Sequence, residues 1–425
     1  MLAPPPPLTR RHVLTGLAAA GALGTMPSNA QRSGPGREAI RPFRVTVPDK
    51  AITDLRTRLA ATRWPERETA ADQSQGVQLS VLRNLVRYWM TDYDWKKIEA
   101  HLNTLPMFVT EIDGLDIHFI HMRSPHANAM PMIMTHGWPG SVLEFMEVLG
   151  PLSDPTAHGA EAGDAFHLVV PSIPGFGFSG KPTKTGWGSD HIGRAWATLM
   201  QRLGYHRYVS QGGDCGSVIS QRMALQNVPG LIGIHLTMPG TVPKEIATIL
   251  TAGGPPPSGL TAQERTAFEA LDNFYRNSSA YAAMMVTRPQ TIGYSLVDSP
   301  IGLAAWIYEK FAQWTYSGGD PGRVLSKDKM LDDISLYWFT ASGASSAQIY
   351  WEDHSNNFNA VNIPDMPVAV TVFPGEIYCA PKTWAQRCYR NLTYFHEADN
   401  GGHFAAWEQP QLFTQEVRMA FRSLR

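Results

Sequence analysis

The chain is 425 residues long, 43% hydrophobic and 17% charged, with a formal net charge of −1. That length and apolar content support one large core with an accessory segment, and exclude a disordered chain. The near-neutral balance excludes nucleic acid as a partner, and a mere three cysteines argue against a disulfide framework.

The first element is an address. Thr9-Arg10-Arg11 precedes an apolar run to Met26, and Ser28-Asn29-Ala30 follows as a small-x-small cleavage pattern. Basic, apolar and cleavage regions in that order describe an export signal over residues 1–30, and the paired arginines resemble the twin-arginine type. The expected location is therefore periplasmic or secreted; an uncleaved anchor and a plain tail are the alternatives. The apolar run falls short of the ~20 residues that span a bilayer, so no stable span is expected in the mature protein.

Residues 40–106 read as a separate preamble. Phe43 to Val47 alternates as a strand does, and Ile52, Leu55 and Leu59 then recur near helical spacing. Leu82, Leu85, Val86 and Trp89, then Trp95, Ile98 and Leu102, continue an apolar helical stripe. Residues 107–240 change character. Asp113-Gly114 between two alternating runs signals a hairpin. Short apolar runs at Met130 to Thr135, Phe166 to Val170, Arg207 to Ser210 and Ile232 to Thr237 alternate with helical stretches. Such alternation predicts an α/β fold with a parallel sheet covered on both faces. The next strands, Val368 to Phe373 and Thr393 to His396, fall in a second core part, residues 363–425. The gap before them is about 125 residues, far longer than an ordinary connection. Residues 241–362 are accordingly read as a helical lid over the C-terminal sheet edge, where ligands sit in open α/β sheets. Cys379 and Cys388 flank a helical pattern at roughly 13 Å, too far for a disulfide.

Three motifs carry chemistry. Gly212-Gly213-Asp214-Cys215-Gly216 follows a strand and opens a helix, the context of a nucleophile elbow with Asp214 as nucleophile. A carboxylate there attacks carbon electrophiles and forms an alkyl ester. An Asp after Gly-Gly is by itself most often a turn residue. The second motif, His136-Gly137-Trp138-Pro139-Gly140-Ser141, follows a strand at the position that donates one oxyanion-hole amide. The expected hole is the backbone N–H of Trp138 with that of Cys215; His136 is given no chemistry. The third is Gly401-Gly402-His403-Phe404 on a late loop, in the order acid, carboxylate, histidine. The carboxylate that orients His403 should end a strand, which favours Glu376 in Phe373-Pro374-Gly375-Glu376. Asp399 is too local, and Glu397 and Asp365 are weaker alternatives.

With Arg41-Pro42-Phe43 to Arg63-Trp64-Pro65 and Asp298-Ser299-Pro300, these motifs resemble the microsomal-type epoxide hydrolases of the α/β-hydrolase fold. The resemblance runs from about Ile40 to the C-terminus. It implies Asp214 as nucleophile, His403 as base, Glu376 as its partner, and two lid tyrosines that protonate the epoxide oxygen. By local context these match Tyr281 and Tyr350, with Tyr275, Tyr294 and Tyr337 as the confusable ones. The pattern commonly has Trp where Cys215 stands; the amide is retained, and the smaller side chain reshapes the pocket wall. The implied partners are water and a small hydrophobic epoxide, aryl or terpenoid in character, with no metal or organic cofactor. Whether the chain forms a homo-oligomer is open. Three other readings remain: a haloalkane or haloacid dehalogenase with the same Asp, an esterase, which needs Ser at the elbow, and a non-catalytic binder of hydrophobic ligands.

Overall fold

The computed structural model describes residues 36, 38–354 and 358–425; the export segment read from the sequence lies outside them. The preamble opens with a two-residue strand, β1 (Arg41–Pro42), and continues through α1 (Asp49–Ala60), α2 (Leu79–Thr91) and α3 (Trp95–Leu102). Leu82, Leu85, Val86 and Trp89 bury one face of α2, as their spacing predicts. Phe43 to Val47 is not a strand. Its alternation is real, with Val45 and Val47 buried; the Phe43 N–H still donates to the Met107 carbonyl, but the backbone beyond is satisfied by side chains of α3 and its C-cap. Asn103 bonds both the N–H and the carbonyl of Val45, and Glu99 accepts from the Val47 N–H at 2.7 Å. The stripe from Leu79 onward breaks between two helices, because Asp94 caps α3 by accepting from the Lys96 N–H.

The core begins with the hairpin β2 (Met107–Ile112) and β3 (Leu115–Met122). Asp113 and Gly114 hold φ of 51° and 81°, the left-handed pair a two-residue turn of this kind requires. Then follow β4 (Met130–Thr135), α4 (Met146–Ser153), β5 (Phe166–Pro171), α5 (Ser189–Arg202), β6 (Tyr208–Gly212), α6 (Cys215–Leu225) and β7 (Leu231–Leu236). Eight helices come next: α7 (Lys244–Ala252), α8 (Ala262–Asn273), α9 (Ala280–Thr287), α10 (Pro289–Asp298), α11 (Pro300–Trp314), α12 (Lys327–Phe339), α13 (Ser342–Ser345) and α14 (Gln348–Asp353). β8 (Val368–Val372), α15 (Lys382–Cys388), β9 (Leu392–Glu397), α16 (Ala405–Glu408) and α17 (Pro410–Phe421) complete the chain.

The sheet has nine strands in the order β1-β2-β3-β5-β4-β6-β7-β8-β9. From β5 to β9 all pairings are parallel, while β1, β2 and β3 form an antiparallel edge. Residues in β4, β5, β6 and β8 are buried almost throughout, as strands covered on both faces must be. β4 and β6 lie side by side at the centre, so the loops leaving their C-terminal ends meet. That adjacency puts Trp138 and Asp214 together across 76 positions of sequence. Cys379 and Cys388 are free thiols.

Candidate active site

Asp214 ends the turn between β6 and α6 with φ 48° and ψ −124°, a conformation a non-glycine residue adopts only under strain. The strain is held by close packing. A Cβ on Gly212 would come within 2.1 Å of the Gly216 carbonyl oxygen, and one on Gly216 within 2.0 Å of the Thr135 carbonyl oxygen. Gly137 lies equally close to the nucleophile turn: a Cβ there would meet Asp214 Cβ at 2.3 Å. The glycines of both motifs are therefore required by backbone approach.

The Asp214 carboxylate is buried, and its Oδ1 accepts from the Trp138 N–H at 2.8 Å. Cys215 opens α6, so its amide is among the N–H groups that have no acceptor within their own helix. Of the two amides expected to form the oxyanion hole, that of Trp138 is bonded to the Asp214 side chain, and that of Cys215 stands at the N-terminus of α6. Burial, then the charge of Asp214, pushes the Cys215 thiol well above its ordinary range, so it stays protonated and poorly nucleophilic.

His403 Nδ1 donates to Glu376 Oε1 at 2.7 Å, and its Nε2 stands 3.7 Å from Asp214 Oδ2. The second distance is longer than a hydrogen bond, so Nε2 is not tied to the nucleophile. Burial pulls the His403 pKa down, but Glu376 and Asp214 outweigh it and carry it up to about 9. Glu376 is itself buried, whereas Glu397, Asp399 and Asp365 are exposed, and Glu397 is engaged by Gln263 instead. His136 is buried in a structural role: its Nδ1 donates to the Gly137 carbonyl and its Nε2 accepts from the Ile173 N–H. Burial lowers its pKa to about 4, which keeps it neutral.

The lid brings Tyr281 and Tyr350 onto Trp138. The Tyr281 ring stacks on the Trp138 indole at 5.1 Å and 10°, and the Tyr350 ring meets it edge-on at 6.2 Å. Both are buried, and their hydroxyls hydrogen-bond to each other. Burial pushes both phenols well above their ordinary range, and the charge of Asp214 adds to it. The other tyrosines go elsewhere: Tyr294 is 70% exposed and Tyr337 donates to the Gly140 carbonyl.

Three residues at the site were not read from the sequence. Trp314, the last residue of α11, packs its ring 4.9 Å from His403 and 5.3 Å from Tyr281. Lys310, one turn earlier, is buried against Tyr281. Glu144 lies three residues past the second motif; burial first, and then Asp333, holds its carboxyl well above the usual carboxylate range. A cavity of about 20 Å³ adjoins Asp214 and His403 and is walled by Glu144, Gln211 and His136. It is roomy enough for one water.

The sequence matches the family described as epoxide hydrolase N terminus over residues 40–145, and alpha/beta hydrolase fold over residues 130–283. It is 53% identical to a Stigmatella aurantiaca protein provisionally named as an epoxide hydrolase, covering 91% of this chain and 86% of the relative. It is 36% identical to Epoxide hydrolase 1 of Sus scrofa, covering 90% and 88%. Among solved structures, Aspergillus niger epoxide hydrolase superposes with a TM-score of 0.79 at 31% identity, covering 92% of this chain and 97% of that one.

Proposed function

Because this chain belongs to the microsomal-type epoxide hydrolase family, we propose that Asp214 opens a hydrophobic epoxide through a covalent ester, which water then hydrolyses to a vicinal diol. The observation that carries this reading is the arrangement at the elbow. The carboxylate nucleophile is bonded by the Trp138 amide, and two mutually bonded lid tyrosines pack on the ring of that same Trp138. Opening a strained ether creates a basic alkoxide, and two phenols stabilise that charge as it develops. After alkylation, His403, oriented by Glu376, activates water against the ester carbonyl, and the amides of Trp138 and Cys215 hold the tetrahedral oxyanion. The 20 Å³ cavity beside His403 supplies a place for that water.

The aromatic wall of Trp138, Trp314, Tyr281 and Tyr350 suits an apolar substrate, aryl or terpenoid. The dehalogenase reading is disfavoured at position 215, where a halide-binding Trp would stand beside the nucleophile and Cys stands instead. Turnover of an aryl epoxide, a carboxylic ester and an alkyl halide by the purified protein separates the readings. Diol from the epoxide alone is expected; halide release or ester cleavage without diol would overturn it.

The tyrosine roles predict their own kinetics. Tyr281→Phe and Tyr350→Phe should each slow single-turnover alkylation by ~10²–10³, the usual effect of losing one donor to a developing oxyanion. The double variant should nearly abolish it with the fold intact by circular dichroism. Full alkylation rates in both single variants would remove the tyrosines from the mechanism.

We also propose export of the mature chain, from Arg10-Arg11 and the apolar run to Met26. Cell fractionation with sequencing of the mature N-terminus should find the protein outside the cytoplasm without residues 1–30. Arg10→Lys with Arg11→Lys should block export. Cytoplasmic protein that keeps its first thirty residues is the contrary outcome.

A further inference from the structure

Lys310 is a buried cation that the reaction above does not use. Its side chain is 1% exposed, and its ionic partner among the described residues is Glu309 Oε2 at 2.9 Å, a neighbour that is itself partly exposed. A lysine so placed is costly to desolvate, and a methionine or leucine would fill the same space more cheaply. Its ammonium lies 4.2 Å from the centre of the Tyr281 ring and 5.5 Å from that of Trp314. Trp138 stacks in parallel on the same Tyr281 ring at 5.1 Å. The Tyr281 ring is therefore in contact with both an indole and a cation, and its hydroxyl bonds to Tyr350.

We propose that Lys310 is a positioning residue for epoxide opening: its ammonium, over the ring of Tyr281 at 4.2 Å, strengthens the Tyr281 hydroxyl as a donor to the leaving oxygen. The physical reason is charge. As the hydroxyl gives up its proton toward the alkoxide, negative charge grows over the phenol ring. A cation on the ring face stabilises that charge more than it stabilises the neutral phenol. The site otherwise works against the proton donor, since burial and the nearby Asp214 carboxylate both disfavour a phenolate. Burial lowers the Lys310 pKa below the ordinary lysine range, and the Glu309 carboxylate at 2.9 Å works against that, favouring the ammonium. The inference rests on the reading of Tyr281 as a proton donor to an epoxide.

The test is a double-mutant cycle read in single turnovers. Lys310→Met should slow formation of the alkyl-enzyme by roughly tenfold, the scale of a desolvated cation–π contact, and leave ester hydrolysis unchanged. Lys310→Arg should restore most of the alkylation rate. In the Tyr281→Phe background, which has no proton to give, Lys310→Met should slow alkylation no further. Lys310→Gln keeps a donor for Glu309 and is the second neutral variant, should Lys310→Met not fold. Equal slowing with and without the Tyr281 hydroxyl, or equal slowing of both half-reactions, would mean that Lys310 only supports packing. An unchanged alkylation rate would also overturn the proposal. A wild-type protein that forms no alkyl-enzyme with any epoxide would instead defeat the underlying reading.

Discussion

His403→Gln should consume about one epoxide per enzyme and then stall. Asp214 needs no base to attack a carbon electrophile, so losing the imidazole leaves the first step in place. The second step needs a base to take a proton from water, and that contribution is typically ~10²–10⁴ in rate. The adduct mass should accumulate on the peptide that contains Asp214, not on Cys215 alone, whose thiol is held protonated. The pH dependence follows from the same geometry. In the free protein His403 lies between two carboxylates, and Glu376 and Asp214 carry its pKa to about 9 despite burial. Near neutral pH it is an imidazolium, which cannot act as base. Alkylation turns Asp214 into a neutral ester and removes one of the charges that held the proton. The His403 pKa must therefore fall as the intermediate forms, and the base becomes available at the step that needs it. The wild-type hydrolysis rate should rise with pH through a midpoint below 9, while His403 of the free protein titrates near 9 by NMR. A variant that turns over at the wild-type rate, or a midpoint for hydrolysis at or above 9, contradicts this account.

The parts of the site that were legible in the sequence are those held by local backbone constraint. Gly212, Gly216 and Gly137 are fixed by neighbours so close that an added Cβ would meet them at 2.0–2.3 Å, and such constraint leaves a motif that a single sequence displays. Glu376 was identifiable because β8 ends four residues before it, and Pro374 and Gly375 deliver it to the same sheet edge as His403. Phe43 to Val47 was misread for the opposite reason. Alternation reports burial on two sides, and it does not say whether the backbone partner is a strand or the side chains of Glu99 and Asn103. The lid was the least legible region. Tyr281 and Tyr350 came from family resemblance, since spacing does not separate them from Tyr275, Tyr294 or Tyr337. Only packing on Trp138 distinguishes them. Lys310 and Trp314 sit in a helix whose residues are mostly apolar, and a lysine there reads as one more solvent-facing charge. Its burial against Tyr281 is set by how α11 lies on the core, which no local pattern encodes.

Asp214→Ala should form no adduct and lose turnover by about 10⁴-fold or more, as removal of a covalent nucleophile does elsewhere. The reason is positional as well as chemical. Among the described residues, the carboxylates beside Asp214 are poorly placed to take over: Glu376 is bonded to His403, and burial and then Asp333 raise the Glu144 carboxyl well above the usual carboxylate range. Loss of activity alone does not distinguish a nucleophile from a base that activates water for direct attack on the epoxide. Isotope placement does. A single turnover of wild-type protein in ¹⁸O-water should leave the label in the Asp214 carboxylate and give unlabelled diol. In the covalent route the diol takes its second oxygen from Asp214, and water replaces that oxygen when the acyl–oxygen bond breaks. Direct attack by water places the label in the diol on the first turnover and leaves Asp214 unlabelled. The oxygen at issue is the one that reaches the substrate. Oδ1 is bonded to the Trp138 amide, while Oδ2 is the oxygen on the His403 side. If Oδ2 attacks, Oδ1 becomes the ester carbonyl and already lies in the hole that must hold its negative charge. The Trp138 N–H then serves both half-reactions, first to fix the carboxylate for attack and later to bind the oxyanion. Label in the first-turnover diol would refute the covalent route.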